Sequence, residues 1–532
     1  MSVGNHLGRA VVEYNYDTVV IGSGIGGLTT AACLAKGGQK VLVLERHYTP
    51  GGFTHTFERK KYIWDVGVHY IGEVSRPDAS MRRIFDYITD RKLLWNSMDD
   101  VYDVIEVDGK SYELVAGRER FRARMCDYFP NEASAIDRYL DLIGEVGRSA
   151  QSFFAQRALP AWLGRLLYEK LSRPFLALAN ATTEAVFADL TRDQTLIKVL
   201  TGQWGDYGLP PVSSSFAMHA MVAGHYLGGA SYPVGGAGAI AANIEPVIKS
   251  RGGQIVTSAE VSQIHISQGV ATGVSLSDGR TVKAKNIISS VGVKNTYEKL
   301  IGDPALIPDK VRRYLSRDQQ SMAHLCLYIG INCDLRTLGL SDSNLWLHRD
   351  GVHDVHMKEL SKLLGEDVPV VFISFPSLKD PEWELTRPNL GTVEIVLPAS
   401  MQRFLLWQES KWHKRGADYE QLKAEATGLL LEILFSKCAI LRDHVAYTEL
   451  STPLSTRHFS NYSSGEIYGL KHDPERFKQS WLRAETPIKN LYLTGQDIAT
   501  CGIGGALLAG VITASRVLGP VRSVGLLRRT FF

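Results

Sequence analysis

Residues Asp17–Gly27 read Asp-Thr-Val-Val-Ile-Gly-Ser-Gly-Ile-Gly-Gly. The apolar run Thr18–Ile21 predicts a buried strand, Gly22, Gly24 and Gly27 follow as G-x-G-x-x-G, and the small residues of Leu28–Lys36 predict a helix. Each glycine has its own task. Gly22 permits the tight turn, Gly24 lets backbone amides approach a pyrophosphate, and Gly27 lets the helix pack closely on the strand. The helix start then offers unpaired N–H groups and the positive end of its dipole to a phosphate. A second strand, Lys40–Leu44, ends in Glu45, eighteen residues beyond Gly27. An acid there accepts hydrogen bonds from ribose hydroxyls and repels a 2′-phosphate. Strand, glycines, helix, second strand and acid in this order specify a Rossmann unit for a dinucleotide, where the glycines alone would not.

The residues that follow separate FAD from a nicotinamide nucleotide. Glu45 and Arg46 lead into Pro50-Gly51-Gly52, and this glycine pair resembles the second pyrophosphate contact of glutathione-reductase-type flavoproteins. At the far end, Leu491–Thr494 predicts a short strand, followed by Gly495, Asp497 and a glycine-rich helix start at Gly502–Gly505 that includes Gly504 and Gly505. The resemblance implies that Asp497 holds ribityl or phosphate-side hydroxyls. The helix start would aim its dipole at the flavin ring and favour the anionic reduced form. Between these ends, Gly253–Ser290 alternates apolar and polar residues with turns at Gln268-Gly269 and Asp278-Gly279, which predicts a β-ribbon. By the same resemblance its Val261 gives a backbone contact to adenine. The expected fold is α/β: a glutathione-reductase-type FAD domain assembled from residues 1–75, 225–300 and 485–532, with an inserted α+β substrate domain of residues 76–224 and 301–484. The insertion should contain a hairpin around Asp108-Gly109 and helices from about residue 131 to 224. Gly235-Gly236-x-Gly238 follows Tyr232-Pro233 instead of an apolar strand and is read as an ordinary turn.

Composition narrows the function. The 532 residues are 45% hydrophobic and 22% charged with a net charge of +3, which gives no field for nucleic acid. Six cysteines lie scattered without a C-x-x-C pair, so a reducing, cytoplasmic setting is expected. Polar and charged residues at 9–17 do not build a signal peptide, and Ile503–Ser515 is too short to span a bilayer. Leu159, Trp162, Leu163, Leu166, Leu167 and Leu171 share a helical face, with Arg165, Glu169, Lys170 and Arg173 around it. Such a helix suits a membrane interface or a packed core equally. His353 and His356 form an isolated pair without a third ligand, so no metal site is expected.

Five further stretches resemble the phytoene-desaturase-like flavoproteins and, within them, the all-trans-retinol saturases. They are Gly51–Phe57, Asp65–Gly72, Tyr232–Gly236, Phe375–Pro381 and Leu491–Asp497, in order along almost the whole chain. The resemblance implies FAD, a lipophilic polyene, isoprenoid or acyl lipid as substrate, and chemistry on a C=C bond. Without a carbonyl to activate that bond, a hydride passes through flavin N5 and a side chain or water handles the proton separately. Saturation, desaturation and isomerisation all use this machinery. In the absence of a second nucleotide fold, the electron donor or acceptor is external. Two departures from the saturases stand out: Phe53-Thr54 replaces a pair of cysteines, and the expected N-terminal signal segment is lacking. His69 and Tyr70, after the Gly67 turn, are the candidates for proton transfer, with Asp206, Tyr207 and His219 as second choices. Rival readings are a flavin amine oxidase, with Cys501 in the region of a covalent flavin link, and a non-catalytic prenyl-lipid binder resembling GDP-dissociation inhibitors.

Overall fold

The strand Asn15–Ile21 is buried on both faces from Thr18 onward and therefore takes the middle of a parallel sheet. This computed structural model describes residues 3–159, 161–317, 319–349 and 355–531, which leaves His353 outside the described residues. Val41–Leu44 pairs with one side of the central strand, and Thr281–Ser289 with the other. Gln254–Thr257 extends the sheet beyond Val41–Leu44, and Leu491–Leu493 lies beyond Thr281–Ser289, all in parallel. The two ends of the chain thus meet on one sheet through a strand from its middle.

The expected ribbon is corrected here. Val261–Ser267, Val270–Leu276 and the first half of Thr281–Ser289 do form an antiparallel meander, with positive φ at Gln268 and Gly269. Gln254–Thr257, however, sits on the opposite side of the sheet. It is a short apolar run, and such runs carry no alternation to say which neighbour they take. Helices Ile25–Lys36, Gly238–Lys249 and Gly502–Phe531 pack together against the parallel strands.

A second, seven-stranded sheet runs in the order 445–451, 323–331, 391–399, 370–374, 344–348, 101–107, 110–115. Only 344–348 and 101–107 are parallel neighbours in it. Ala323–Ile331 is buried at every position, because helices Val355–Leu364 and Ala417–Lys437 cover one face and Tyr62 and Trp64 reach the other. A helical lobe is built from Ala133–Ala158, Tyr168–Ala179, Thr183–Leu190, Gln194–Leu200 and Phe216–Tyr226.

Two helix expectations also change. The C-terminal apolar segment is not confined to Ile503–Ser515: it continues to Phe531, interrupted at Gly519 (φ 76°) before Pro520. By length and composition it could cross a membrane, and 56% of its most apolar window is buried within the protein. The single amphipathic helix expected after Leu159 is instead two short ones, Ala161–Leu166 and Tyr168–Ala179, and Leu159 itself is extended.

Candidate active site

A cavity of about 1360 Å³ runs from Glu45 and Val261 to Ile143 and Phe154 in the helical lobe. That exceeds the roughly 300–1,000 Å³ of an ordinary ligand pocket and accommodates two molecules end to end. At its first end the two N-terminal glycine motifs lie side by side, with Gly24 bridged to Gly51 as in a parallel ladder. Ser23 holds them there: its Oγ donates to Glu45 Oε2 (2.6 Å) and accepts the Gly51 N–H (3.0 Å). The other Glu45 oxygen accepts the His47 N–H.

The glycines divide into two kinds. A Cβ on Gly27 would stand 2.3 Å from Gly22 O, one on Gly505 2.0 Å from Thr500 O, and one on Gly26 2.7 Å from Gly495 Cα. These are packing glycines, and Gly26 is where the N-terminal helix touches the C-terminal motif backbone to backbone. A Cβ on Gly24 would meet nothing within 4 Å, because it would point into the cavity. Asp497 accepts the N–H groups of Leu470 (2.9 Å) and Val293 (2.8 Å), one on each oxygen. Buried Arg476 ties the same turn down through the carbonyls of Leu470, Gln496 and Asp497.

At the other end His69, Tyr70 and Asp206 face the cavity beside Met218, Trp346 and Phe372. Behind them lies a buried polar network. Tyr70 Oη lies 2.9 Å from Asp103 Oδ2 and 3.2 Å from Asp206 Oδ2. A phenol carries one proton, so one of these bonds must come from a protonated carboxyl. Burial and the Asp103 charge push Asp206 well above the usual carboxylate range, which makes it that carboxyl. Asp103, pushed by burial to about 6, also accepts from Asn344 (2.9 Å) and Gln203 (2.6 Å). Lys379 is fully buried, and its three donors go to His69 O, Ser374 Oγ and Asn344 Oδ1. Burial lowers it to about 8. His69 Nδ1 lies 2.8 Å from Glu394 Oε2, yet neither atom makes a hydrogen bond of good geometry. The side chains are close, with the imidazole turned off the line of the bond.

Residues 25–518 match the flavin-containing amine oxidoreductase family. An all-trans-retinol 13,14-reductase of Danio rerio is 34% identical over 95% of this chain and 86% of its own length. A chloroplastic prolycopene isomerase of an Oncidium hybrid is 26% identical over 99% and 89%. Among solved structures, a putrescine oxidase variant superposes with a TM-score of 0.62 at 16% identity, over 94% of this chain and 99% of its own, which speaks for the fold alone.

The chain belongs to the flavin-containing amine oxidoreductase family.

As a member it is an FAD-dependent oxidoreductase with a mixed α/β fold. The residues present fit the cofactor. Gly22, Gly24, Gly51, Gly52 and Gly495 line a side-chain-free trough between Glu45 and the helix start at Gly502, the shape a pyrophosphate between ribose and flavin requires. Arg46, Val261, Asp497, Gly504 and Gly505 also line the cavity, whereas Gly27 acts through packing alone. Cys501 lines the cavity as well, but burial pushes its thiol up to about 12, far from a nucleophilic thiolate.

The structure separates the proton-transfer candidates. His69, Tyr70 and Asp206 come together; Tyr207 and His219 do not. His219 is buried between the hydroxyls of Tyr139 (3.0 Å) and Tyr207 (3.2 Å), inside the helical lobe and off the cavity wall. Sequence reasoning missed Asp65, Asp103, Lys379 and Glu394. A signal was present: Asp103 and Glu394 each interrupt an apolar strand, as Tyr-Asp-Val-Ile and Thr-Val-Glu-Ile-Val, where a charge is costly to bury without a task. No metal cluster occurs among the described residues.

Proposed function

We propose that this protein reduces a C=C bond of a lipophilic polyene, using electrons from an external donor and a proton from His69. The observation that carries the reading is the reacting end of the cavity. Apolar and aromatic walls, among them Met218, Trp346 and Phe372, continue from the dinucleotide trough, and His69, Tyr70 and Asp206 stand together on them as a linked group of titratable side chains. A conjugated hydrocarbon fits such walls, and the retinol reductase and prolycopene isomerase relatives carry names of polyene enzymes. FAD, when bound, supplies the hydride at N5. The chain itself excludes water, aligns the substrate along the apolar walls and delivers a proton from His69 Nε2 to the substrate carbon. Tyr70, whose hydroxyl is shared between two acids, positions Asp206 and stiffens the floor.

Amine oxidation is the poorer reading. An aromatic cage needs two rings with space between them, but Tyr70 and Tyr226 stack directly on each other, 4.3 Å apart and 11° from parallel. The test is anaerobic mixing of photoreduced protein with all-trans-retinol. Flavin should reoxidise and the product gain two hydrogens, one of them from solvent. A rearranged double bond with no flavin change would make the protein an isomerase, and bleaching of oxidised flavin a desaturase.

The outer rim of the cavity suggests how such a substrate arrives. Leu159 lines it together with Val524, Leu527 and Phe531 of the C-terminal helix. Val521 is 87% exposed, Val524 66% and Leu166 73%, with Arg522, Arg528 and Arg529 on the same helix. We read this rim as a peripheral contact of a cytoplasmic protein with an anionic membrane surface. Val521→Glu with Val524→Glu should abolish sedimentation with phosphatidylserine vesicles at unchanged flavin content. Wild type that never sediments would remove the idea.

A further inference from the structure

His69 has a second side. Strand Tyr62–Asp65 and strand Gly391–Ala399 place two buried carboxyls there, away from the main cavity. Glu394 Oε2 lies 2.8 Å from His69 Nδ1, and its Oε1 accepts the Asp65 backbone N–H (3.0 Å). The Asp65 carboxyl accepts the Ala237 N–H (2.9 Å) on one oxygen and the Tyr232 hydroxyl on the other. The glycine turn Gly235-Gly236 therefore leads a helix start onto Asp65 instead of onto a nucleotide.

A separate cavity of about 150 Å³ reaches this point from another part of the surface. Asp65 and Tyr232 form its buried end, while Gly235, Glu382 and Thr386 are exposed at its mouth. Its walls are mostly apolar, but Asp65, Tyr232, Asp380 and Glu382 give it polar groups along its length, and it is large enough to hold several waters.

We propose that Asp65 and Glu394 form a proton store that refills His69 from solvent through this side opening, so that proton and lipophilic substrate reach the reacting carbon by separate routes. The proposal rests on His69 as the acid of the preceding section. The balance is simple. The Nε2–H bond of His69 breaks as the substrate C–H bond forms, and Nδ1, 2.8 Å from Glu394 Oε2, takes the proton of Glu394 as the imidazole turns into line with it. His69 thus ends neutral in its other tautomer and Glu394 ends as a carboxylate, and rotation of the imidazole about its Cβ–Cγ bond returns an N–H to the cavity side before the next turnover. Glu394 regains a proton through water from Asp65, the acid whose titration its charge influences, and Asp65 regains one from water in the side cavity. No electrons pass along this chain; the hydride comes from the flavin reduced by its external donor.

The protonation states agree with the geometry. Burial raises Glu394 to about 8 and Asp65 to about 7, so both hold protons near neutrality, and burial lowers His69 to about 4, so it does not keep a second one. The other titratable groups facing the pair are Lys379, His324, Cys326, Tyr328, Tyr232 and Asp380. Of these, Lys379 is the one cation and draws Glu394 downward, whereas the charge of Glu394 works upward on Asp65.

The test uses flavin-loaded wild type, Glu394→Gln, Asp65→Asn and Tyr232→Phe, each checked for flavin content and thermal midpoint. Glu394→Gln keeps the acceptor for the Asp65 N–H, so the fold has no reason to fail. Infrared titration of the protein without substrate should show protonated-carboxyl bands near neutral pH, one lost in Glu394→Gln and another in Asp65→Asn. In the anaerobic retinol assay, Glu394→Gln should slow the first turnover roughly 10²-fold. Asp65→Asn and Tyr232→Phe should slow later turnovers more than the first. Infrared bands unchanged by either acid variant, or a first turnover as fast in Glu394→Gln as in wild type, would overturn the proposal. Should wild type react with no polyene, the reductase reading falls, and the infrared titration alone decides whether the pair stores protons.

Discussion

Gly24→Val is expected to fold normally and to purify without its yellow colour. The valine side chain would project into open cavity, since a Cβ at this position has no neighbour within 4 Å. It would occupy the trough shared with Gly51 and Gly52, where the pyrophosphate belongs. Forcing extra methyl groups into a fitted site costs about 1–3 kcal/mol, and that is about 5- to 150-fold in affinity. Loss of the phosphate contacts at the helix start adds to it. Gly26→Val supplies the contrast. Its Cβ would come 2.7 Å from Gly495 Cα, backbone against backbone, so neither atom can step aside. That variant should lose thermal stability and solubility before the question of flavin arises. Visible absorption and thermal unfolding of both variants decide the matter. Gly24→Val with a full complement of flavin would refute the assignment of this trough to the pyrophosphate.

The contrast between these two glycines also marks what the sequence can and cannot disclose. The Rossmann strand, its glycines and Glu45 were legible because their spacing is set locally, by one turn and one helix start. The C-terminal motif was legible for the same reason. That Gly26 presses on Gly495, 469 residues away, was not, since nothing local distinguishes a packing glycine from a phosphate glycine. That Gln254–Thr257 leaves the ribbon of Gly253–Ser290 for the opposite side of the sheet is not legible, because parallel strands buried on both faces look alike. The proposed reacting end was half legible. His69 and Tyr70 stood out in a short motif, but their partners Glu394, Asp103 and Lys379 come from three other elements of the second sheet and its connections. A lone acid within an apolar strand was the available sign.

His69→Gln is expected to slow reoxidation of the reduced protein by a polyene by roughly 10²- to 10⁴-fold, the usual weight of a positioned general acid, with flavin content unchanged. The claim has to be weighed against Asp206, which faces the same cavity and holds a proton of its own. Geometry decides for His69. The Asp206 carboxyl is tied through Tyr70 to Asp103, a bond it would have to give up on losing its proton, and among the described residues no further side-chain donor to it is found. His69 has Glu394 within 2.8 Å on the side opposite the cavity. Asp206→Asn, which keeps a hydrogen bond to Tyr70, should therefore slow the step only about tenfold. The pH profile gives an independent check. An acid must be protonated to act, and Glu394, raised by burial to about 8, loses its proton as the pH rises through that value. The wild-type rate should accordingly hold steady below about pH 8 and fall above it, and the fall should vanish in Glu394→Gln, where the slower rate no longer depends on that carboxyl. A near-normal rate in His69→Gln, with the large loss and the pH break both transferred to Asp206→Asn, would make Asp206 the proton donor and leave His69 as part of the wall.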